Sequence, residues 1–235
     1  MTEAHQIARG DRPDRGSPAG VPATTVIHPG QDVVTGDQTA RPARLIMVTG
    51  ARGGQGTTTV AVALAVYAAA YGDVALAAAP SQGAAVLLGV PAIERGGSVE
   101  ATRNVTLTAP PVAVAADTVV IDGGLFGAGQ ASGGETYVVL RGPCYVALAT
   151  LLACHAERPD GIILVAEEGR SLTARDVSEV TGLPVVAMVT ASSRVARTID
   201  AGLLISRLSR LHELDDLRRI AAPTAATPRS IPEPR

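Results

Sequence analysis

The stretch Leu45-Ile-Met-Val-Thr-Gly-Ala-Arg-Gly-Gly-Gln-Gly-Thr-Thr-Thr59 constrains the fold more than any other part of this chain. An apolar run ends in a glycine-rich turn, and the turn runs straight into a segment of helical composition. Strand, tight turn and helix start in that order form the opening half of a βαβ unit whose turn cradles an anion. Glycines let the backbone wrap closely around such a group. Successive N–H groups and the positive end of the helix then favour its negative charge. Arg52, Gly53, Gly54, Gln55, Gly56, Thr57, Thr58 and Thr59 are therefore the candidate binding loop.

The alternation continues down the chain. Short apolar runs predict strands over 43–49, 73–79, 104–108, 118–121, 137–140, 161–166 and 184–189. Helices are predicted over 57–71, 82–88 (ending at Gly89), 144–156, 173–180 (closed by Gly182) and 193–221, the last in two pieces around Gly202. Continuous apolar strands separated by helices indicate an α/β fold: a mainly parallel sheet with helices on both faces, in three layers. Ligands in such sheets bind beyond the carboxyl ends of the strands. The glycine loop and Asp122 both fall at such ends. The folded domain is expected over 42–222. Residues 1–41, rich in Gly, Pro, Asp, Arg and Thr without periodicity, read as a disordered arm; residues 223–235, with four prolines, read as a disordered tail.

Composition sharpens the reading of the loop. The chain holds 20 basic residues, and every one is arginine. No lysine exists anywhere to bind phosphate. A hydrophobic fraction of 46% with only 2% aromatic residues implies a core of small side chains packed at short distances. A formal net charge of -2 gives no global argument for nucleic acid. Cys144 and Cys154 fall on one expected helix, roughly 15 Å apart, too far for a disulfide. Reduced thiols, and no apolar leader in the first residues, lead us to expect a cytoplasmic location. The apolar span 60–80 is broken at Gly72-Asp73 and reads as helix, turn and strand rather than a membrane crossing.

Arg52-Gly-Gly-Gln-Gly-Thr-Thr-Thr59 resembles the deviant phosphate-binding loop (P-loop) of the ParA/MinD family of ATPases. The family pattern is a signature lysine, two glycines, any residue, glycine, the P-loop lysine, then Thr or Ser. Gly53, Gly54 and Gly56 match the glycines, and Thr58 matches the hydroxyl residue that binds Mg²⁺ in the family. Thr57 stands at the P-loop lysine and Arg52 at the signature lysine, which in the family reaches the partner subunit's nucleotide. Arginine keeps the charge without the compact ammonium. Where the family carries Asp-x-Asp-Pro after its second strand, this chain has Ala77-Ala-Ala-Pro80, so no carboxylate there orients water or metal. Thr118-Val-Val-Ile-Asp122 resembles the family's Walker B strand, which makes Asp122 the candidate to hold Mg²⁺ through water. Pro184 to Gly202 resembles the late strand and helix of MinD-like proteins, with Thr190 in place of the usual proline. The preceding strand, Ile163 to Glu168, lacks the asparagine that reads adenine in the family.

The resemblance spans about residues 43–205 and implies a P-loop NTPase-like fold. It also implies a role in positioning or regulating a cellular machine: a division site, a segregating DNA, or a pilus or secretion apparatus. The departures imply a degenerate member, a pseudo-ATPase or weak binder of ATP or ADP with Mg²⁺, with Thr58 and Asp122 at the metal and no catalytic residue of its own. Two other readings stay open: an ATPase that uses Arg52 and Mg²⁺ in place of lysine, and an interaction domain without nucleotide. A protein partner is expected, or an intact ATPase paralogue that supplies lysine in trans. A homodimer across the nucleotide face is a further arrangement, but it cannot supply a lysine. The leucines at 204, 208, 211, 214 and 217 lie on one face among acidic and basic residues, and no Trp or Phe anchors them. That face is expected to pack on the domain or on a partner rather than on a membrane. Scattered arginines make nucleic acid a lesser expectation than a protein partner, and no aromatic interleaving offers single-strand stacking.

Overall fold

Every side chain from Leu45 to Gly50 is buried, as a strand covered on both faces requires, and the rest of the fold is assembled around it. The computed structural model describes residues 24–27, 34–36, 44–110, 112–127, 134–153 and 158–223. In chain order the strands are β1 (Thr24–Ile27), β2 (Val34–Gly36), β3 (Arg44–Gly50), β4 (Val74–Ala78), β5 (Ser98–Thr102), β6 (Val105–Thr108), β7 (Val112–Val114), β8 (Thr118–Leu125), β9 (Glu135–Arg141), β10 (Gly161–Ala166) and β11 (Val185–Thr190). The helices are α1 (Thr57–Ala68), α2 (Gln82–Leu88), α3 (Tyr145–Ala153), α4 (Ala174–Thr181), α5 (Ser193–Asp200), α6 (Leu204–Arg207) and α7 (Leu217–Ala221). Two short 3₁₀ turns lie between the last two helices.

Eight strands form the main sheet in the order β11-β10-β9-β3-β8-β4-β6-β5. All neighbours are parallel except the edge pair β5–β6. The chain leaves β3 toward β4, β6 and β5, returns through β8, and only then builds β9, β10 and β11 on the other side. The order therefore reverses beside β3, and the crevice outside the carboxyl end of β3 is where open α/β sheets bind ligands.

Side chains alternate between the two faces with the strand period of two. Ile46 and Val48 of β3 join Leu76, Leu107, Val120, Val139 and Ile163 under α1, α2 and the C-terminal helices. On the other face Val138, Leu140, Ile162 and Leu164 pack under α3 and α4. Leu45, Met47, Ala75, Ala77, Val119 and Ile121 form a third cluster. Helix α1 has no polar face: residues Val60 to Ala65 are all buried. That is the signature of a helix enclosed on every side, here between the sheet and α7. Its Ala and Val side chains keep both contacts close.

Differences from the sequence reading have local causes. Strands β1 and β2 lie inside the segment read as an arm and pair with β7 in a small antiparallel sheet. Their Thr-Thr-Val-Ile and Val-Thr runs are β-branched, which favours extended backbone. The remainder of residues 1–41, and residues 224–235, lie outside the described residues, as does Cys154. Strand β5 was not anticipated because Ser98-Val-Glu-Ala-Thr is polar and half exposed; it is an antiparallel edge strand, joined to β6 by a turn with Asn104 at φ 64°. Strand β8 continues past Asp122 to Leu125. The C-terminal segment is not two helices but a series of short pieces, broken first at Gly202 (φ 65°). Its leucines at 204, 208, 211, 214 and 217 are all buried in the core. Among the described residues no helix is long and apolar enough to cross a membrane.

Arg44 ties this C-terminal segment to the base of β3. Its Nε and Nη2 donate to the two carboxylate oxygens of Glu135 on β9 at 2.7 and 2.9 Å. The same guanidinium donates to the carbonyls of Ile220, Ala221 and Ala222 at the end of α7, at 2.7, 3.1 and 2.8 Å. Those carbonyls have no intrahelical donor, so a cation there satisfies both the orphan acceptors and the negative end of the helix.

Candidate functional site

The glycine loop leaves β3 at the carboxyl edge of the sheet. Two backbone hydrogen bonds fix where it starts. Ala51 N–H donates to Val139 O on β9 at 3.0 Å, and Phe126 N–H donates to Gly50 O at 2.9 Å. Gly54 and Gly56 then turn the chain at φ 76° and 88°, in the left-handed region that only glycine enters freely. Gly56 is the N-cap of α1. No side chain caps the helix, and its first turn carries no acid. None of the backbone N–H groups from Gly53 to Thr59 donates to another described residue. A helix start leaves its first N–H groups without intrahelical partners, and beside two left-handed glycines these groups have the build of an anion cradle.

The loop residues have separate roles. Arg52, Gly53 and Gly54 are exposed, and Gln55 to Thr59 are half-buried. Gln55 is committed: its Oε1 accepts the backbone N–H of Arg141 at 2.7 Å and so joins the loop to the end of β9. Thr57, the residue at the lysine position, packs back under the loop. A Cβ built on Gly50 would collide with Thr57 Oγ1 and lie 3.0 Å from the Arg52 carbonyl oxygen. Gly50→Ala should therefore shift the loop and lower stability by about 1–3 kcal/mol, the usual cost of overpacking, read as a fall in the denaturant midpoint at unchanged m-value.

Thr58 sits against the start of α2. A Cβ on Gly83 would lie 3.5 Å from its Cγ2 and 3.9 Å from its Oγ1. At the end of β4 Ala77 is buried and Ala79 is exposed, and neither carries a polar group. Asp122 lies on β8 in register with Val48 of β3 and Ala78 of β4, so it stands between the loop strand and β4. Its Oδ1 accepts from Gly124 N–H at 3.4 Å, a turn-capping contact. Among the described residues no three His, Cys, Asp or Glu side chains lie together as a metal-ligand set.

A cleft of about 600 Å³ opens beside the loop, over the ends of β9, β10 and β11. Gln55, Gly56 and Thr59 form one edge. Val165, Val189, Val195, Ile199 and Leu214 form an apolar wall. Arg141, Glu167 and Arg170 form a charged edge that was not singled out from the sequence. Arg141 Nε donates to Glu167 Oε1 at 2.8 Å, and Arg170 donates from Nε and Nη2 to Glu167 Oε2, at 3.0 and 2.5 Å. The hydrogen bonds from Arg170, and then from Arg141, hold the Glu167 carboxyl below its ordinary pKa, so it stays ionised. The only sequence signal was an arginine closing an apolar strand. Thr190, at the position of the family's proline, also lines the cleft.

No protein-family model matches the chain, and no curated protein matches it. Solved structures do match. A ParA family ATPase from Chlorobium tepidum TLS superposes with a TM-score of 0.59 at 12% identity, covering 77% of this chain and 99% of that one. The septum site-determining protein MinD of Pyrococcus horikoshii OT3, solved with Mg-ADP, gives 0.60 at 18% identity, covering 77% and 95%. A chain of the MinC:MinD cell division protein complex of Aquifex aeolicus gives 0.60 at 15% identity, covering 78% of this chain and 98% of that one. At these identities the likeness is one of fold. The chain has the ParA/MinD-like P-loop α/β fold that its motif order implies.

Proposed function

We propose that this chain is a ParA/MinD-like nucleotide-binding protein without efficient hydrolysis, which works by positioning or regulating another protein assembly. The observation that carries this reading is the open cradle of N–H groups from Gly53 to Thr59 at the carboxyl end of β3, kept without any lysine. Backbone donors and the α1 N-terminus hold the phosphates of ATP or ADP. A bound nucleotide brings Mg²⁺, which neutralises phosphate charge; Thr58 and Asp122 are the side chains that would hold the ion, Asp122 through water. With Thr57 at the lysine position and Ala77 and Ala79 where the family has aspartates, the loop itself carries no lysine and the end of β4 no water-orienting carboxylate of the kind that phosphoryl transfer draws on.

Work against a protein surface is supported by an apolar face beside the loop. Tyr145, Val146 and Leu152 of α3 are 83%, 54% and 52% exposed. Val146, with Ala149 and Ala153, also lines an apolar groove that reaches Ala51 of the loop and Phe126. Exposed apolar patches of this kind mark protein contacts. That partner is another protein or an intact paralogue, with self-association as the further arrangement. Cys144, half-buried and free, suits a reducing cytoplasm.

Titration of the full chain with ATP, ADP and Mg²⁺, read by thermal unfolding and phosphate release, tests the reading. With a Kd of about 100 µM, nucleotide at about 5 mM should stabilise the fold by about 2 kcal/mol, a shift of several degrees. Phosphate release should stay at the level of the blank. No thermal shift with either nucleotide would overturn the proposal. Mg²⁺-dependent turnover that disappears in Arg52→Ala would replace it with the ATPase reading.

A further inference from the structure

We infer that Arg141, braced by Glu167 and Arg170, is the cation that meets the phosphates of a nucleotide held on the glycine loop, in place of the lysine that Thr57 displaces. The inference rests on the nucleotide-binding reading above and adds to it the residue that supplies the charge.

Three observations converge on Arg141. Its backbone is fastened to the loop: the N–H donates to Gln55 Oε1 at 2.7 Å, and two residues earlier Val139 O accepts from Ala51 N–H at 3.0 Å. Its side chain lines the same cleft as Gly56 and Thr59, at the start of α1. Its guanidinium is oriented but not used up. Only Nε is bound, to Glu167 Oε1, and neither terminal nitrogen bonds to a described residue. Arg170 is engaged differently, with both Nε and Nη2 on Glu167 Oε2. The cleft is lined by two arginines and two glutamates, Glu167 and Glu168; both guanidiniums sit on Glu167, and Arg141 carries the free donors.

The backbone accommodates this arrangement. Gly142 follows Arg141 at φ 49°. A Cβ there would strike the Glu167 carboxylate, with Cδ at 2.8 Å, and would lie 3.0 Å from Arg170 Nε. The brace therefore needs glycine at 142. Arg52, the loop's own arginine, differs on each count. It is exposed and makes no hydrogen bond or ion pair with a described residue. A pre-oriented planar guanidinium loses less freedom on meeting a phosphate than a free one, so Arg141 is the stronger anchor.

The test is calorimetric titration of the full-length chain with ADP, with inorganic tripolyphosphate and with adenosine. Arg141→Gln should weaken ADP and tripolyphosphate about tenfold or more, the scale of one charge-assisted contact, and leave adenosine unchanged. Arg52→Gln should weaken them less than about threefold. Glu167→Gln adds positive charge to the cleft but removes the brace, so it should weaken both anions; tighter binding instead would overturn the positioning role. Arg141→Lys, which keeps charge on the same stem, should recover part of the loss and controls for folding. If the native chain binds ADP and Arg141→Gln binds it equally well, this inference fails and nucleotide binding stands. If the native chain binds no anion, both fail. Equal weakening of adenosine would also overturn the assignment to phosphate.

Discussion

Arg44→Ala is expected to destabilise the domain by about 2–4 kcal/mol, one of the two largest effects we anticipate from a single substitution. The guanidinium serves Glu135 and three terminal carbonyls of α7 at once. Its side chain is 17% exposed and that of Glu135 31% exposed. Removing one partner of a fully buried pair costs about 3–5 kcal/mol, because the other charge is left without compensation, and partial exposure trims that figure. The acid side of the stability curve gives an independent readout. Burial raises the Glu135 carboxyl, but hydrogen bonds from Arg44 and Tyr137 and the Arg44 charge outweigh it, and the net shift is below the ordinary 4.5. Burial, then the hydrogen bond to Glu135, push the Tyr137 hydroxyl upward, so it remains a donor throughout. A carboxyl depressed on folding contributes stability that is present above its unfolded pKa and lost as pH falls through its folded value. Native protein should therefore lose stability below about pH 4.5. In Glu135→Gln that contribution should be absent at neutral pH, and the acid-side loss correspondingly smaller. Equal chemical-denaturation midpoints for native protein and Arg44→Ala at pH 7 would refute the clasp.

Leu211→Ala should cost about 2–5 kcal/mol, the range for leucine deletion in a closed core. Leu211 is 1% exposed, and its neighbours on the stripe, Leu204, Leu208, Leu214 and Leu217, are equally enclosed. They cover the outer side of α1, whose inner side lies on the sheet. The same leucines read as a membrane-binding face predict the opposite pair of results: unchanged stability and lost binding to anionic vesicles. A lowered unfolding midpoint in Leu211→Ala, together with native protein that does not bind vesicles, is the outcome the packing requires. Retained stability would return the segment to the membrane reading.

The parts of this fold legible beforehand were those encoded by neighbouring residues. Helix α2 runs over the expected residues 82–88 and ends on Gly89 at φ 72°. Helix α4 opens on Thr173, whose hydroxyl accepts from Asp176 N–H while the Asp176 carboxylate accepts from Thr173 N–H, and it closes on Gly182 at φ 67°. These are local signals: a capping pair three residues apart, or one left-handed glycine. The glycine loop was legible for the same reason. Strand β5 was not, because an exposed antiparallel edge has neither the apolar run nor the alternation that marks a buried strand.

By itself the sequence determined the order of the central parallel strands and the helices between them, the place of the glycine loop at a strand end, and the absence of lysine from it. Each depends on residue identity and on spacing within a turn or two. Only the tertiary structure decided what surrounds that loop. Gln55 is tied to Arg141 across 86 positions, Arg141 meets Glu167 across 26, and Arg44 reaches Ala222 across 178. Contacts at those separations leave no periodic trace, because they arise from which strands become neighbours in the sheet. Strand order placed β9 beside β3, and with it an arginine beside a phosphate cradle that has no lysine.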